Sequence, residues 1–325
     1  MSIRSFVCAL VALWLPLQAS QAQEWPDRPI KMVVAWPAGG GTDIVARIVA
    51  KHLGERLKQP VVVDNRAGAS GVVGTEYVSR AKPDGYTVQY TVADSHSINP
   101  HVFSGIRYDA INQFTPVSIV GSMPNSLIVN PKVPAKTVEE FIQLAKENPG
   151  KYTYASWGVG SGGHIRMEAL NSFAKTKTLH VPYQGSGPAL TAVIAGEVDA
   201  MMAPYGLAEA TARAGKVRML SVDTSERLPE APQIPTLAEQ GVPLRLAFWQ
   251  GLLVPAKTPE AIINRLNTEM SALLADPQVR AELRKAGVAV NSMGTSTLAD
   301  IRGFFDSEYE RWGTLIREVN ISAKQ

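Results

Sequence analysis

Runs of apolar and β-branched residues alternate with helix-like patterns along almost the whole chain. In the first third of the sequence, each short apolar run is followed by a segment in which apolar residues recur every three or four positions. The pattern predicts strands at Pro29–Trp36, Val61–Asp64 and Tyr86–Val92, and helices at Ile44–Leu57 and Gly71–Ala81. Strands that alternate with helices in this way predict an α/β fold with mostly parallel sheets.

A second series of the same kind begins near Ser126. Its predicted strands are Ser126–Asn130, Tyr152–Ser156, Thr178–Pro182, Val198–Ala203 and Val217–Val222. Its predicted helices are Val138–Lys146, Ile165–Ala174, Ala189–Gly196 and a shorter segment at Leu207–Ala214. One more strand is predicted at Leu252–Val254, followed by helices at Pro259–Ala275, Pro277–Ala286 and Leu298–Val319.

The two series predict two lobes, each built on its own sheet. The chain is expected to cross between the lobes near Val120–Ser126 and to return near Leu246–Leu253. We therefore predict a discontinuous first lobe, residues 23–122 and 250–325, which recovers the C-terminal strand and helices. The second lobe is predicted at residues 123–249.

The first 22 residues have the layout of a secretory signal peptide. Arg4 gives a positive start, Phe6 to Leu17 carries no charge, and Ser20 and Ala22 place small residues at a cleavage site. The apolar run is shorter than the roughly 20 residues that a spanning helix needs, and a retained N-terminal anchor is the alternative. We expect cleavage near Ala22 and a mature protein in the periplasm.

Composition narrows the chemistry of the expected mature chain. Cys8 is the only cysteine and lies inside the predicted signal, which excludes disulfides, thiol nucleophiles and cysteine-bound metals. The whole chain has a formal net charge of +3, which becomes +2 without Arg4. No basic cluster is present, so nucleic acid is not an expected partner. No later stretch is apolar enough to cross a bilayer, so we expect a soluble mature protein.

Four glycine-rich loops end predicted strands and open into predicted helices. Glycine permits positive φ angles and close approach of the backbone to a ligand. A helix N-terminus has unpaired N–H groups and a partial positive charge, so it suits an anion. The loops are Pro37–Asp43, Ala67–Gly71, Gly158–His164 and Tyr183–Pro188. Two belong to each predicted lobe, and ligands of such sheets bind beyond the strand ends, so we expect the loops to face one another across a cleft.

The side chains of the loops indicate how a ligand would be held. None of the four loops contains Lys or Arg, so a carboxylate would be bound by amides and hydroxyls. The hydroxyl donors would be Thr42, Ser70, Ser161 and Ser186. Trp36, Trp157 and Tyr205 lie at predicted strand ends, where each either stacks on a ligand or belongs to the core or rim.

These residues also have purely structural interpretations. Thr42 and Ser186 are of the types that cap helices without any ligand. Asp43 either contacts the ligand, directly or through water, or stabilises the first turn of a helix. His96, in the segment Asp94–Pro100, and His164 either line the cleft or pack against neighbouring elements. Four loops of the same pattern favour a binding site over four unrelated turns.

The sequence carries no recognisable catalytic motif. The G-x-S-x-G elbow is absent, and the five histidines form no H-E-x-x-H or related metal-binding spacing. The first loop lacks both the P-loop and the dinucleotide-binding patterns. We therefore expect no metal, no cofactor and no catalysis. A catalytic centre that the fold assembles from distant residues stays an alternative.

At these loops the sequence resembles the substrate-binding proteins of tripartite tricarboxylate transporters, often called the Bug family. The matching segments are Trp36–Arg47, Val63–Gly71, Ala81–Thr87, His180–Gly185 and Pro235–Gly241. They are long, occur in the right order and extend the resemblance over essentially the whole mature chain. The resemblance implies a two-lobed periplasmic-binding-protein fold of the Venus-flytrap type II, with small carboxylates or related metabolites bound in a central cleft.

The resemblance also implies which residues line the cleft. On the first lobe they are Trp36, Ala38, Gly39, Gly40, Gly41, Thr42, Asp43, Ala69, Ser70 and His96. On the second lobe they are Ser161, Gly162, His164, Tyr183, Gln184, Ser186, Ala203, Pro204 and Tyr205. The ligand carboxylate is expected to contact residues 38–42 and Ser161–Gly162, partly through water near Asp43.

Besides Ala192–Val193, which replaces a common Asp-Leu at an expected helix surface, the chain departs from the usual family pattern at three places. Trp36 stands where relatives often have Tyr or Phe, and Gln184 occupies a position that is often basic. The segment Ala203–Tyr205 replaces one that often carries Asp or Asn. These changes make one end of the pocket less polar, so the expected ligand leans toward a bulkier or aromatic acid.

The resemblance predicts a monomeric periplasmic protein that captures a small organic acid for the membrane permease subunits of a transporter. A receptor that presents its ligand to a sensor protein would use the same cleft, so transport and sensing stay open. A periplasmic enzyme on a similar fold is a further alternative, because a fold does not fix a function.

Overall fold

Two five-stranded sheets organise the part of the chain that the computed structural model describes, residues 25–224, 226–244, 248–290 and 296–318. The predicted signal peptide, residues 1–22, lies outside the described residues. The strands are β1 (Ile30–Val34), β2 (Val61–Asn65), β3 (Thr87–Val92), β4 (Phe114–Ser122), β5 (Asn125–Val129), β6 (Thr153–Ser156), β7 (Leu179–Pro182), β8 (Ala200–Pro204), β9 (Arg218–Val222) and β10 (Trp249–Pro255). The helices are α1 (Gly41–Leu57), α2 (Val72–Ser79), α3 (Asn99–Val102), α4 (Val138–Glu147), α5 (Gly162–Ala174), α6 (Ser186–Ala195), α7 (Tyr205–Arg213), α8 (Glu260–Ala275), α9 (Pro277–Lys285) and α10 (Leu298–Glu318).

Both sheets have the same strand pattern. The first has the order β2-β1-β3-β10-β4, and the second has the order β7-β6-β8-β5-β9. In the first sheet β10 runs antiparallel to both of its neighbours, and in the second sheet β5 does the same. The remaining four strands of each sheet run in one direction, which confirms the predicted α/β fold with mostly parallel sheets.

The sheets take their strands from different parts of the chain. The first lobe is the sheet of β1–β4 and β10 with its helices, including α1, α8 and α10. The second lobe is the sheet of β5–β9 with its helices, including α5, α6 and α7. Because β10 returns to the first sheet, the first lobe is discontinuous in sequence. The bounds of 23–122 with 250–325, and of 123–249, stay a prediction.

The apolar runs correspond to strands that the helices cover. β5, β8 and β10 are buried along their whole lengths. Strands covered on both faces have continuous apolar sequences, so their positions can be recognised from the sequence. Across the described ranges, no helix combines the length and the apolar character that crossing a membrane requires.

The sequence pattern does not predict β4. Its sequence, FTPVSIVGS, includes Pro116, Ser118 and Gly121, which interrupt the apolar run. The strand lies at the edge of the first sheet and pairs with β10. An edge position accommodates a proline because the missing N–H faces away from the neighbouring strand.

Three helices begin earlier than the sequence pattern predicts. α1 begins at Gly41, α5 at Gly162 and α6 at Ser186, each three residues before its predicted start. Glycine is a poor helix former, so helix propensity places the predicted helix starts after these glycine-containing segments. In α5 close packing explains the glycine, since a Cβ on Gly163 would lie 2.6 Å from the Trp157 ring. The first, third and fourth glycine-rich loops therefore continue into the first turns of these helices.

The two chain crossings between the lobes lie side by side. Met123 follows β4 on the first crossing, and Phe248 precedes β10 on the second. The Met123 N–H donates to the Phe248 carbonyl at 2.9 Å. Both positions fall within the segments predicted for the crossings, 120–126 and 246–253, although residues 245–247 lie outside the described residues.

Candidate functional site

A cavity of about 130 Å³ lies between the two lobes, beside the crossings. This volume is about ten times what one water molecule needs, so the cavity accommodates a small organic molecule. Both lobes contribute to its wall. The lining residues are Trp36, Pro37, Ala38, Gly39, Gly40, Gly41, Thr42, Asp94, Met123, Trp157, Gly185, Ser186, Gly187, Pro188, Pro204 and Phe248.

The N-termini of α1 and α6 meet across this cavity. A Cβ built on Gly40, which precedes α1, would lie 3.8 Å from Ser186 Oγ at the start of α6. A Cβ on Gly185 would lie 3.2 Å from Pro37 Cγ. Gly40 and Gly185 are the N-caps, and glycine has no side chain with which to bond the N–H groups of the first turn. Two helix N-termini with a partial positive charge therefore converge on one small volume.

Asp43 holds the first of these loops in place. One of its oxygens accepts hydrogen bonds from the Gly39 N–H and from Arg47 Nε, both at 2.9 Å. The other accepts from Asn65 Nδ2 at 2.8 Å, and that amide also donates to the Trp36 carbonyl at 3.0 Å. Burial opposes ionisation of Asp43, but the three donors outweigh it and lower the pKa below its ordinary value. Asp43 thus supports the loop rather than lining the cavity.

The N-terminus of α5 differs from those of α1 and α6, because protein groups already occupy it. Ser161 is the N-cap, and its hydroxyl accepts the His164 N–H at 3.4 Å. The Gly162 N–H donates to Asp94 Oδ1 at 2.7 Å. Ser161 and Gly162 are expected to contact the ligand carboxylate. In the structure, however, both already form hydrogen bonds with other atoms of the chain.

Asp94 connects the two lobes at the cavity wall. It follows β3 in the first lobe and is completely buried. Its Oδ2 accepts the indole N–H of Trp157, in the second lobe, at 2.7 Å. Burial raises the pKa of Asp94 to about 7, although the bonds from Trp157 and Gly162 and the nearby charge of Arg166 act in the opposite direction.

The rest of the cavity wall is largely apolar. Trp36, Met123, Trp157, Pro204 and Phe248 form it. The rings of Trp157 and Phe248 pack edge to face, with centroids 6.0 Å apart and planes at 72°. Among the described residues that line the cavity there is neither Lys nor Arg. The cavity wall therefore combines the starts of α1 and α6 with aromatic and other apolar side chains.

The second and third glycine-rich loops also meet, but behind the cavity. Ser70 Oγ donates to the Val159 carbonyl at 2.7 Å, which joins the first lobe to the second. A Cβ on Gly71 would lie 3.0 Å from the Trp36 ring, so this loop supports the back of that ring. Ala69 and Ser70 do not line the cavity.

The structure places His96 in the core of the first lobe. Its side chain is completely buried, with the Phe114 ring edge-on at 4.6 Å between centroids and Thr91 Oγ1 at 3.2 Å from Nδ1. Burial lowers its pKa to about 3, so the ring is neutral at physiological pH. His96 does not line the cavity.

His164 packs within the second lobe, one turn behind the cavity. Its ring stacks on His180 with centroids 4.0 Å apart, and its Nδ1 accepts the Gly160 N–H at 3.0 Å. Burial lowers its pKa, so the ring stays neutral and keeps this acceptor. The histidine thus fixes the loop before α5 and does not line the cavity.

The remaining predicted residues lie next to cavity residues. Tyr183 is half-buried and Gln184 is exposed, and both precede Gly185 without lining the cavity themselves. Ala203 and Tyr205 flank Pro204, and Tyr205 packs in an apolar cluster of the second lobe. Neither lines the cavity.

Eight of the predicted site residues line the cavity, namely Trp36, Ala38, Gly39, Gly40, Gly41, Thr42, Ser186 and Pro204. The site prediction did not include Asp94, Met123 and Phe248. Asp94 had a usable signal, because a carboxylate directly after a buried strand lies at the edge where such sheets bind ligands. Met123 and Phe248 lie on the crossings, which no sequence motif marks. In the described ranges, no group of three or more His, Cys, Asp or Glu residues is arranged to hold a metal ion.

Two α/β lobes joined by adjacent crossings, with a ligand-sized cavity between them, are the architecture of a two-lobed binding protein. The family model of the tripartite tricarboxylate transporter family receptor matches residues 45–321. The chain belongs to this family of periplasmic receptors, and the resemblance seen in the sequence is confirmed.

Two relatives match nearly the whole chain. A Pseudomonas protein from the tcbD–tcbE intergenic region is 35% identical over 327 residues, which covers 99% of this chain and 96% of that protein. Protein BugT of Bordetella pertussis is 33% identical over 306 residues, which covers 93% of each protein. The match to BugT places the chain among the Bug proteins.

Solved structures share the fold. Rpa4515 of R. palustris with adipate has a TM-score of 0.88 at 32% identity, covering 93% of this chain and 100% of that one. MatC of Rhodopseudomonas palustris with bound malate has a TM-score of 0.84 at 32% identity, covering 90% of this chain and 99% of that one. The predicted two-lobed binding-protein fold is therefore confirmed.

Proposed function

We propose that this protein binds a small organic acid in the cavity between the lobes, with a ligand carboxylate held by the N-termini of α1 and α6. The observation that carries the proposal is the convergence of these two helix starts, whose caps Gly40 and Gly185 provide no side chain of their own. Helix N-termini of this kind bind anions through backbone N–H groups. The hydroxyls of Thr42 and Ser186 add two donors at the same place.

The comparisons support a carboxylate as the ligand. Two solved relatives carry adipate and malate, and the family takes its name from tricarboxylate transport. The acid would then pass to the membrane permease subunits of a tripartite tricarboxylate-type transporter. The aromatic wall of Trp36, Trp157 and Phe248 favours an acid with an apolar or aromatic body.

The protein is proposed to bind its ligand without altering it. The described residues that line the cavity include no histidine, so Thr42 and Ser186 have no imidazole base beside them. Their hydroxyls act as hydrogen-bond donors. The ligand should accordingly be recovered unchanged after prolonged incubation with an excess of protein.

We further propose that the protein is exported to the periplasm after cleavage near Ala22 and acts there as a monomer. Membership of a family of periplasmic receptors supports the periplasm as the location of the protein. Both walls of the cavity come from one chain, so a single copy makes a complete site. Lobes of 23–122 with 250–325, and of 123–249, agree with the strand order of the two sheets.

The test is calorimetric titration of the mature protein, residues 23–325, with benzoate, phenylacetate, malate, adipate and citrate. We expect one-to-one binding of at least one acid, accompanied by stabilisation of about 2.7 kcal/mol at 100 times its Kd. Mass spectrometry should recover that acid unchanged. Failure of every acid to bind or to raise the unfolding temperature would contradict the proposal, and chemical conversion of the acid would contradict simple binding.

A further inference from the structure

The N-terminus of α5 lies behind the cavity residue Asp94, whose side chain already accepts one of its N–H groups. Asp94 Oδ1 accepts the Gly162 N–H at 2.7 Å, and Asp94 Oδ2 accepts the Trp157 indole N–H at the same distance. Both donors are of the kind that would otherwise bind an incoming carboxylate. The carboxylate of Asp94 thus takes a place that a second acidic group of the ligand would need.

The surroundings of Asp94 make a second anion unfavourable there. The side chain is completely buried and lines the cavity together with Trp157 and Phe248. The charged neighbour Arg166 directs its Nε to Asp223 at 2.7 Å and one terminal nitrogen to the Gly162 carbonyl at 3.1 Å. A ligand carboxylate beside Asp94 would therefore meet a like charge on a completely buried side chain.

The side of the cavity that the starts of α1 and α6 form carries no carboxylate. The N-termini of α1 and α6 present N–H groups and the hydroxyls of Thr42 and Ser186. One carboxylate is stabilised at that side. An apolar or aromatic body extending from it would contact Trp36, Trp157 and Phe248.

We infer that Asp94 is a specificity-determining residue, which makes this receptor select acids with one carboxylate and an apolar or aromatic body over dicarboxylates. The inference rests on the proposed function, because it concerns the ligand of the same cavity. It names a chemical class that the relatives with adipate and malate do not represent.

The experiment compares benzoate with adipate and malate by calorimetric titration of the mature protein at pH 8. That pH lies above the value of about 7 to which burial raises the pKa of Asp94. We expect the wild type to bind benzoate at least tenfold more tightly than either dicarboxylate. The variants are Asp94→Ala, which frees the Gly162 and Trp157 N–H groups, and Asp94→Asn, which removes the charge and keeps the size.

Both variants should reduce the preference for benzoate by about tenfold, mainly through tighter binding of the dicarboxylates. The matched control is Asp199→Asn, because Asp199 also accepts a backbone N–H, from Thr153 at 2.8 Å, but does not line the cavity. It should leave the preference unchanged. If one Asp94 variant does not fold, the other carries the comparison, and a wild type without the preference for benzoate still overturns the inference.

The outcomes separate the inference from the function on which it rests. A wild type that prefers adipate or malate, or a ratio that neither Asp94 variant changes, would overturn the inference while carboxylate binding stands. If the wild type binds none of the three acids and none of the wider panel, the proposed function itself is overturned, and the inference with it.

Discussion

Ser186 Oγ lies 3.8 Å from the position that a Cβ of Gly40 would occupy. The two residues belong to different lobes and mark the starts of α6 and α1. A residue larger than glycine at position 40 would narrow this gap. Its Cβ would also lie 3.3 Å from the Pro37 carbonyl oxygen. The separation fixes where a carboxylate can bind both helices at once.

Replacing Ser186 with Ala should weaken binding of the preferred acid about tenfold. A hydrogen bond from a hydroxyl to a carboxylate contributes about 1.5 kcal/mol or more, and the Ser186→Ala variant loses it. The matched control is Thr191→Val, which removes an exposed hydroxyl from the same helix, bonded to the Gly187 carbonyl. Calorimetry should show a weaker Kd for Ser186→Ala only. Equal affinities in both variants would remove Ser186 from the site.

A Gly187→Leu substitution should abolish binding and leave the fold intact. Gly187 lines the cavity, has nothing within 4 Å of its Cβ position, and requires no positive φ. The leucine side chain would therefore occupy open space at the start of α6 without a clash in the unliganded protein. Gly303→Leu is the matched control, because Gly303 also has an open Cβ position but is exposed on α10.

Thermal unfolding and titration distinguish these two glycine variants. Both should unfold close to the wild-type temperature, and Gly303→Leu should bind normally. Normal binding by Gly187→Leu would mean that the start of α6 does not form the ligand site.

Asp43→Asn should lower the free energy of unfolding by about 2 kcal/mol and weaken ligand binding. The buried carboxylate accepts from Gly39, Arg47 and Asn65, and an amide oxygen cannot serve all three donors. Glu209→Gln is the control, because it removes an ion pair with Arg213 at the same helical spacing on an exposed surface. That change should cost less than about 0.5 kcal/mol in urea unfolding.

Acid should destabilise the second lobe through His180. Burial, and to a smaller extent the neighbouring His164, lowers the pKa of His180 to about 3. An unfolded chain binds this proton near pH 6.5, so the free energy of unfolding should fall as the pH drops from about 6.5 toward 3. The loss is at most about 1.4 kcal/mol per pH unit for one such group.

His180→Gln tests this pH dependence, because glutamine does not titrate and its amide can still form a hydrogen bond with the Ser156 hydroxyl, which lies 2.6 Å from Nε2 in the structure. Urea unfolding between pH 7 and pH 4 should show a shallower decline in the variant. Parallel curves for the wild type and the variant would remove His180 as the cause.

The first and fourth loops could be recognised from sequence because the signal is local. Glycine follows an apolar strand and precedes a helical pattern at residues 39–41 and again at 185–187. The strand ends then bring the loops to the same side of their sheets. What the sequence does not contain is the distance between them, which depends on the packing of two lobes.

Asp94 shows which part of the site could not be predicted, namely the pairing of residues that are distant in sequence. Its partner Gly162 lies 68 residues away and in the other lobe, and no local pattern records that pairing. The position of His96 could not be predicted for a related reason, because its environment is an aromatic core formed by distant elements. Likewise, Ser161 bonds its own helix and not the cavity.

A crystal structure of the mature protein with benzoate tests the central claim most directly. The account predicts the carboxylate between α1 and α6, within about 3.2 Å of N–H groups at Gly41 or Thr42 and at Ser186 or Gly187. The ring should lie against Trp36, Trp157 or Phe248. A carboxylate bound at Gly162 in place of Asp94, or outside the cavity, would contradict it.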